Sequence, residues 1–511
     1  MEPIWHRPVH RAPATHPRRR HPARAALALI AACAAVPAGC SPREGPALTD
    51  VAPTLDGSLG LAEGTSSRQL AAPWHQPSEA WDGAAPLSAE AALRCALANN
   101  RALRRTLAEA DRRRAAFGDA QLPPNPTLNV AVGAPLDMGV TPILATLSAQ
   151  LDWLWKREAI ADDAEAQLRS LLLEAAAMVS ATVVETRTAY VEAASTAEQS
   201  SLARTDAEVA ARVLAAEQAA FEAGESTGTM VARARMNAAE ASNRAMEAEV
   251  ATVNAKTRLL EAIGRGDHAL QWTTVAQTAS AATAECGIAA PAAHDEHDEL
   301  LQLVRERRMD IRAAEARVAS AEARAALATA SRIPSLFLGG GWERDMEGDS
   351  AAMVMLESQL PVFNDGRYRV AAAMAEAEIA RIDADRVWQR AVIDARRALA
   401  DVAAAEHHAA TLRGATLAAF EDAQRLLARM VEAGEGRGVD LWRSEHQRNH
   451  ILLQLARAER DRSLAALSFE RALAGGRLPS MQPSMAGTSS SGGMAGAPMP
   501  DFGFTALETM E

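Results

Sequence analysis

The segment Phe221–Val231, FEAGESTGTMV, contains a glycine-centred turn that the chain repeats at Val431–Leu441, VEAGEGRGVDL. Both copies contain the string Glu-Ala-Gly-Glu, and their glycines, Gly224 and Gly434, lie 210 residues apart. A glycine just past the end of a helix adopts the left-handed backbone conformation that terminates many helices. The repeated turn therefore indicates two long helices that end in the same way.

Sequence similarity extends outward from the turn in both directions. SAQLDWLW around Leu151 corresponds to ESQLPVFN around Leu360, at a separation of 209. A nearly constant separation over such a distance indicates an internal duplication, which has to be recognised before single elements are assigned. We therefore predict two structural repeats, residues 88–265 and 298–475.

The two repeats contain the same predicted elements in the same order: a helix, two strands, a very long helix, the glycine turn and a returning helix. In the first repeat these are Ser88–Leu122, Thr127–Ala134, Ala145–Trp153, Arg157–Phe221 and Thr229–Gly264. In the second repeat they are Asp298–Ile333, Ser335–Glu343, Ala352–Leu360, Arg367–Val431 and Val439–Ala474. At 1.5 Å per residue the long helices span about 97 Å, which suits a tube or a fibre.

The segments outside the repeats differ in composition. Several arginines precede a short apolar stretch that ends in VPAGC at Cys40, a pattern typical of a secretory signal peptide. VPAGC resembles a bacterial lipobox, which would make Cys40 the lipidated first residue, although Pro37 replaces the usual leucine. Cleavage by ordinary signal peptidase is the alternative. We predict a signal peptide over 1–39, an extended leader over 40–87, a linker over 266–297 and a disordered tail over 476–511.

Composition excludes several classes of protein. Hydrophobic residues make up 48% of the chain but aromatic residues only 4%, so bulky globular cores are not expected. A net charge of −12 without a basic block argues against nucleic-acid binding. The sequence shows no nucleophile elbow, P-loop or HExxH motif, so we predict no enzymatic activity and no cofactor.

The four predicted strands are too few to form a closed sheet. Each has the length of a tilted membrane-crossing strand, but an open sheet edge cannot lie in lipid because its backbone groups would be unsatisfied. If the strands enter a membrane, several protomers must share one barrel. Three protomers would supply twelve strands.

The ordered motifs of the repeats resemble the TolC-type outer-membrane efflux family. The similarity covers roughly residues 88–475 and includes LSAEAALRCALANNRALR, LPPNPTL, RIPSLFLGGG and LPVFNDGR. It implies a mainly α fold with a small β part: a homotrimer whose helical hairpins form an α-barrel below a twelve-stranded β-barrel. It also implies a location in the outer membrane of a Gram-negative bacterium, with a periplasmic adaptor and an inner-membrane resistance-nodulation-division (RND) pump as partners.

Heavy-metal cations are the substrates that the resemblance favours. A multidrug duct and a type I secretion duct of the same fold are alternatives. A lipid-anchored periplasmic coiled-coil protein without a pore is the competing hypothesis from another class.

The resemblance also assigns roles to residues at the two turns. The turns correspond to the periplasmic tips where the adaptor docks, which involves Gly224, Glu225, Gly228, Gly434, Glu435 and Gly438. Asp440 matches a position that constricts the closed channel, and three copies would form an acidic ring. Arg443 replaces a second aspartate of some members and could pair with Asp440. The alternative for Asp440 is a favourable contact with the helix dipole.

Two further motifs were considered as metal sites. HDEHDE (294–299) could contribute histidine and carboxylate ligands, but an exposed helix start is the simpler interpretation. The tail contains scattered methionines that could bind Cu(I), which are Met481, Met485, Met494 and Met499. We predict no metal site at either place.

Overall fold

The computed structural model describes residues 85–133, 140–285, 297–345 and 347–474, together with isolated positions between 43 and 83. The predicted signal peptide, Cys40, residues 286–296 and the tail lie outside the described residues. In the first repeat the chain forms α1 (Ala89–Asn99), α2 (Arg101–Ala120), β1 (Thr127–Val132), β2 (Ile143–Gln150), α3 (Trp153–Glu222) and α4 (Gly228–Ala262).

The second repeat follows the same order after a short helix, α5 (Ala279–Glu285). Its elements are α6 (His297–Arg307), α7 (Met309–Ala330), β3 (Leu336–Arg344), β4 (Ser350–Ser358), α8 (Arg367–Thr411), a π-helical segment (Leu412–Leu417), α9 (Ala418–Glu432) and α10 (Gly438–Ala474). The predicted fold class, mainly α with one small sheet and two repeats, is confirmed.

The prediction of one continuous helix at the start of each repeat is wrong, because the structure has two helices there. In the first repeat it breaks at Asn100, whose backbone is extended at φ −62° and ψ 110°. The Asn100 side chain accepts a hydrogen bond from the Leu103 amide at 3.1 Å and so caps α2. A side-chain cap of this kind offers the backbone an alternative to helical hydrogen bonding, which is why asparagine favours helix starts.

The second repeat breaks at the equivalent position, Arg308, for a different reason. Its backbone is also extended, at φ −75° and ψ 114°. The buried guanidinium donates to both carboxylate oxygens of Asp310, at 3.0 and 2.7 Å, and to the Ala472 carbonyl at 2.9 Å. The break at Arg308 therefore ties the start of the second repeat to the last turn of α10.

The long helices differ from the prediction at two points. Helix α3 begins at Trp153, so the predicted strand that reached this residue ends earlier, at Gln150. The second long helix contains the π-helical segment Leu412–Leu417. The repeat separation grows from 209 at Leu360 to 210 at Gly434, so this helix holds one additional residue. The wider π turn accommodates such an insertion.

All four strands form one antiparallel sheet in the order β1-β2-β3-β4. Within the sheet, the two repeats meet at the β2–β3 pair, in which Leu147 lies opposite Gly340. Within the part of the chain that the structure describes, β1 and β4 each pair on one side only. Both edge strands expose apolar side chains, with Val130 54% and Val354 77% accessible.

Helix α3 is long and apolar enough to cross a membrane by length and composition, but 67% of its most apolar window is buried in the protein. It is therefore the central core helix. Its Tyr190 belongs to a buried cluster with Leu87, Leu259 and Trp272. Trp272 lies in the predicted linker. The part of this linker that the structure describes packs into the core of the first repeat. Leu87 pairs with Thr274 in a parallel bridge.

Candidate functional site

The two predicted tips have the same backbone geometry. Gly224 and Gly434 both have φ 79°, in the left-handed region. The residue after each glycine donates its amide hydrogen bond to a carbonyl in the last turn of the preceding helix. Glu225 donates to Ala220 at 2.7 Å, and Glu435 donates to Met430 at 2.9 Å. This is the Schellman arrangement, which satisfies the last carbonyls of a helix.

The tips present a polar, open surface. Glu225 and Glu435 are exposed, and Gly228 and Gly438 are the first residues of α4 and α10. A Cβ atom added at Gly438 would meet no atom within 4 Å. The surface could therefore contact another protein without first rearranging.

The left-handed conformation at Gly434 leads to a stability prediction. Gly434→Ala is expected to lower the free energy of unfolding by about 1–2 kcal/mol, because an L-residue is strained in this region. Gly414→Ala is the matched control, since Gly414 lies in the π-helical segment without a positive φ and a Cβ there meets no atom within 4 Å. The control should gain about 0.5–1 kcal/mol. Denaturant unfolding in detergent measures both, and a gain in both variants would contradict the assignment.

Asp440 and Arg443 form an ion pair at the start of α10. The Arg443 Nη1 donates to Asp440 Oδ1 at 3.0 Å, and Arg437 Nη2 lies 3.6 Å from the same oxygen. Asp440 is therefore flanked by two cations of its own protomer. It also lies in the first turn of α10, where a negative charge interacts favourably with the helix dipole.

Arg443 extends the pair to the first repeat. Its Nη2 donates to Glu217 Oε1 at 2.5 Å, and Glu217 lies on α3 with no exposed side-chain surface. The second oxygen of Glu217 accepts a hydrogen bond from Ser226 Oγ at 2.7 Å. A buried carboxylate is stable only when it is paired and hydrogen-bonded in this way. The network therefore joins the first tip, α3 and α10.

Glu217 was not predicted from the sequence. It is one of many glutamates in a long helix, and nothing in its local pattern distinguishes it from an exposed one. The only sequence feature that points to Glu217 is its position about two helical turns before Gly224, which places it near the tip. The contact with α10 depends on how the two hairpins pack.

A second inter-repeat contact lies near the breaks in the first helices. Arg187 on α3 pairs with Glu470 on α10, and the two side chains are only 5% and 21% exposed. Burial raises the pKa of Glu470, and the nearby Arg187 charge opposes that rise. Ser180 donates to the Ala474 carbonyl at 2.8 Å beside it. These contacts fasten the end of the second repeat to the middle of α3.

The absence of a metal site at HDEHDE and in the tail stays a prediction. His294 and the tail methionines lie outside the described residues, as does Cys40. Among the residues that the structure describes, no group of three or more histidine, cysteine, aspartate or glutamate side chains is arranged to hold a metal ion.

The fold is similar to solved outer-membrane channels. OprN superposes with a TM-score of 0.61 at 19% identity, over 78% of this chain and 95% of that chain. CusC gives 0.62 at 16% identity, over 80% and 100%. VceC of Vibrio cholerae gives 0.58 at 17% identity, over 76% and 96%. At sequence identities this low, the similarity to these channels is a similarity of fold. A search of curated protein sequences gives no significant match.

The family assignment comes from the sequence of the repeats. The sequence profile described as outer membrane efflux protein matches residues 92–265 and 300–475. One match falls in each repeat, and together they cover more than half of the chain. With the duplicated helices, the four-stranded sheet and the likeness to solved channels, these matches show that the chain belongs to the outer membrane efflux protein family.

Proposed function

We propose that three copies of this protein form the outer-membrane exit duct of a tripartite efflux system. The observation that carries the proposal is the open four-stranded sheet at one end of two long hairpins. Strands β1 and β4 have free edges among the described residues and expose apolar side chains. Lipid does not tolerate free edges, so the sheet needs to close with other copies. Three copies supply twelve strands, an even number suited to a membrane barrel.

The proposal places the helical hairpins in the periplasm, with the tips farthest from the membrane. Helix α3 has 70 residues and spans about 105 Å. The tips would contact a periplasmic adaptor, through the exposed surface around Glu225 and Glu435, and the adaptor would join the duct to an inner-membrane RND pump. The protein itself conducts passively.

A lipid on Cys40 would act together with the barrel. Arg43 is held at the sheet end of the helices: Gln121 Nε2 at the end of α2 donates to its carbonyl at 3.3 Å, and its guanidinium lies 3.1 Å from Asp162. Arg43 is three positions after Cys40 in the sequence, which is at most about 11 Å of extended chain. An acyl chain there would reach the membrane that the sheet enters. Mass spectrometry of the N-terminal peptide from membrane fractions tests the modification.

Assembly and conduction test the function itself. The full-length protein should be extracted from outer membranes as a heat-sensitive trimer and should conduct ions in planar bilayers. A soluble or non-conducting protein would favour the poreless coiled-coil hypothesis. That hypothesis also leaves unexplained why each repeat carries two strands at corresponding positions.

Asp440 is proposed to restrict conduction at the tips. Asp440→Ala is expected to increase the conductance of the closed channel, because it removes the carboxylate that three copies would place in the constriction. Single-channel recording in planar bilayers measures the change. Unchanged conductance would leave Asp440 only its contact with the helix dipole.

The substrate is proposed to be heavy-metal cations, with organic compounds as the second possibility. A wide water-filled duct takes its selectivity from the pump, so the test is a growth assay of a deletion strain. Sensitivity to zinc, cobalt, cadmium or copper alone would support the cation assignment. Sensitivity to organic toxicants alone would overturn it and leave the channel proposal intact.

A further inference from the structure

The two hairpins of one protomer meet near their tips through polar contacts between α3 and α10. One contact is the Glu217–Arg443 pair described above. Another joins Asp206 on α3 to His446 on α10, with 2.6 Å between Oδ1 and Nδ1. The Asp206 side chain is 1% exposed and the His446 side chain 18% exposed. This second contact is therefore a nearly solvent-free carboxylate–imidazole pair between the two repeats.

We propose that Asp206 and His446 form a proton-dependent clasp that holds the two hairpins together more tightly when the imidazole is charged. Histidine is the side chain whose charge normally changes between about pH 5 and 8. The hydrogen bond from a neutral imidazole to the carboxylate is already assisted by the negative charge of the acceptor. A charged imidazole adds the attraction between two opposite charges, which is stronger at a site with little solvent than at the surface. Protonation therefore strengthens a link between the repeats without moving any atom far.

The charged groups around the pair support this assignment. From α4, Arg244 Nη2 lies 3.9 Å from the other oxygen of Asp206, so the carboxylate has a cation on its second side. On α3, the neighbouring Arg212 is engaged by Glu445 of α10 at 3.8 Å.

On the other side of α10, Arg448 lies 3.9 Å from Glu421 of α9. The charges of Arg212, Glu445, Arg448 and Glu421 are thus paired with one another. Asp206 is the carboxylate in hydrogen-bond contact with the His446 ring.

The clasp acts on the relative position of the two tips. Each hairpin ends in its own turn, and near these turns α3 and α10 are in contact through the Glu217, Arg212 and Asp206 pairs. Separating the tips requires these pairs to break. Of these three pairs, only the Asp206 pair contains an imidazole. The clasp itself needs only this contact, whereas its effect on conduction rests on the proposed duct function.

Hydrogen–deuterium exchange of the full-length protein in detergent tests the clasp without requiring a pore. After correction for intrinsic exchange, amides of the tip segments 217–231 and 434–446 should exchange roughly fivefold more slowly at pH 6 than at pH 8, because the attraction between the two opposite charges is added at the lower pH. His446→Gln should abolish this ratio. Asp206→Asn should abolish it as well, and it provides a second variant if one substitution impairs folding.

His450→Gln is the matched control, since His450 lies one turn further on α10 and is exposed. It should keep the wild-type ratio. A ratio near one in the wild type, a retained ratio in His446→Gln, or a lost ratio in His450→Gln would overturn the clasp. Failure of conduction with a normal exchange ratio would instead contradict the duct function.

Discussion

Glu217→Gln is expected to raise the conductance of the closed channel by at least about tenfold. The charge-assisted contact from Arg443 to this buried carboxylate contributes about 1.5–3 kcal/mol to holding the hairpins together. The substitution removes that charge while keeping the shape of the side chain and an acceptor for Ser226. Loss of about 1.4 kcal/mol shifts an equilibrium tenfold. Single-channel recording at constant pH and salt measures the effect.

Glu222→Gln is the matched control for this experiment. It makes the same charge change on the same helix, five residues closer to the turn, at an exposed position. We expect it to leave the conductance within about twofold of the wild type, since exposed charges contribute little. Equal conductance in the two variants would show that the Glu217–Arg443 contact does not hold the tips together.

Arg187→Met is expected to be the most destabilising substitution between the repeats. It leaves the mostly buried Glu470 carboxylate without its cationic partner. Removing one member of a buried ion pair costs about 3–5 kcal/mol. Denaturant unfolding of the purified protein measures the loss. Arg204→Met is the control, because Arg204 on the same helix pairs with Glu249 at a site where both side chains are about 60% exposed.

The stability of the Arg187→Met protein should also depend on pH. Burial already raises the pKa of Glu470, and loss of the Arg187 charge removes the influence that lowers it. A carboxyl group whose folded pKa is raised binds its proton more tightly in the folded state. It therefore contributes stability at low pH that is lost as the pH rises through the folded pKa. The variant should recover stability on acidification towards pH 4.5, and a pH-independent deficit would contradict this explanation.

The duplication, the order of helices, strands and turns in each repeat, and the glycine turns of the tips can be predicted from the sequence alone. These features depend on short sequence motifs that act locally and that occur once in each repeat. Gly224 and Gly434 end their helices because only glycine adopts the left-handed conformation without strain. The residues of the tips can be located in the same way, because the same turn motif occurs at corresponding positions of the two repeats.

The residues that connect the two repeats through ion pairs, hydrogen bonds and strand pairing can be identified only in the folded chain. The extended backbone at Arg308 depends on Asp310 and on a carbonyl 164 residues away on α10. The pairing of β2 with β3 depends on the packing of both repeats, because either strand could pair locally. Glu217, Asp206 and Glu470 resemble ordinary helix-surface acids in the sequence, and they become buried ion-pair partners only when α10 packs against α3. Burial converts a charge that water would screen into a specific contact, and burial is a property of the packed helices.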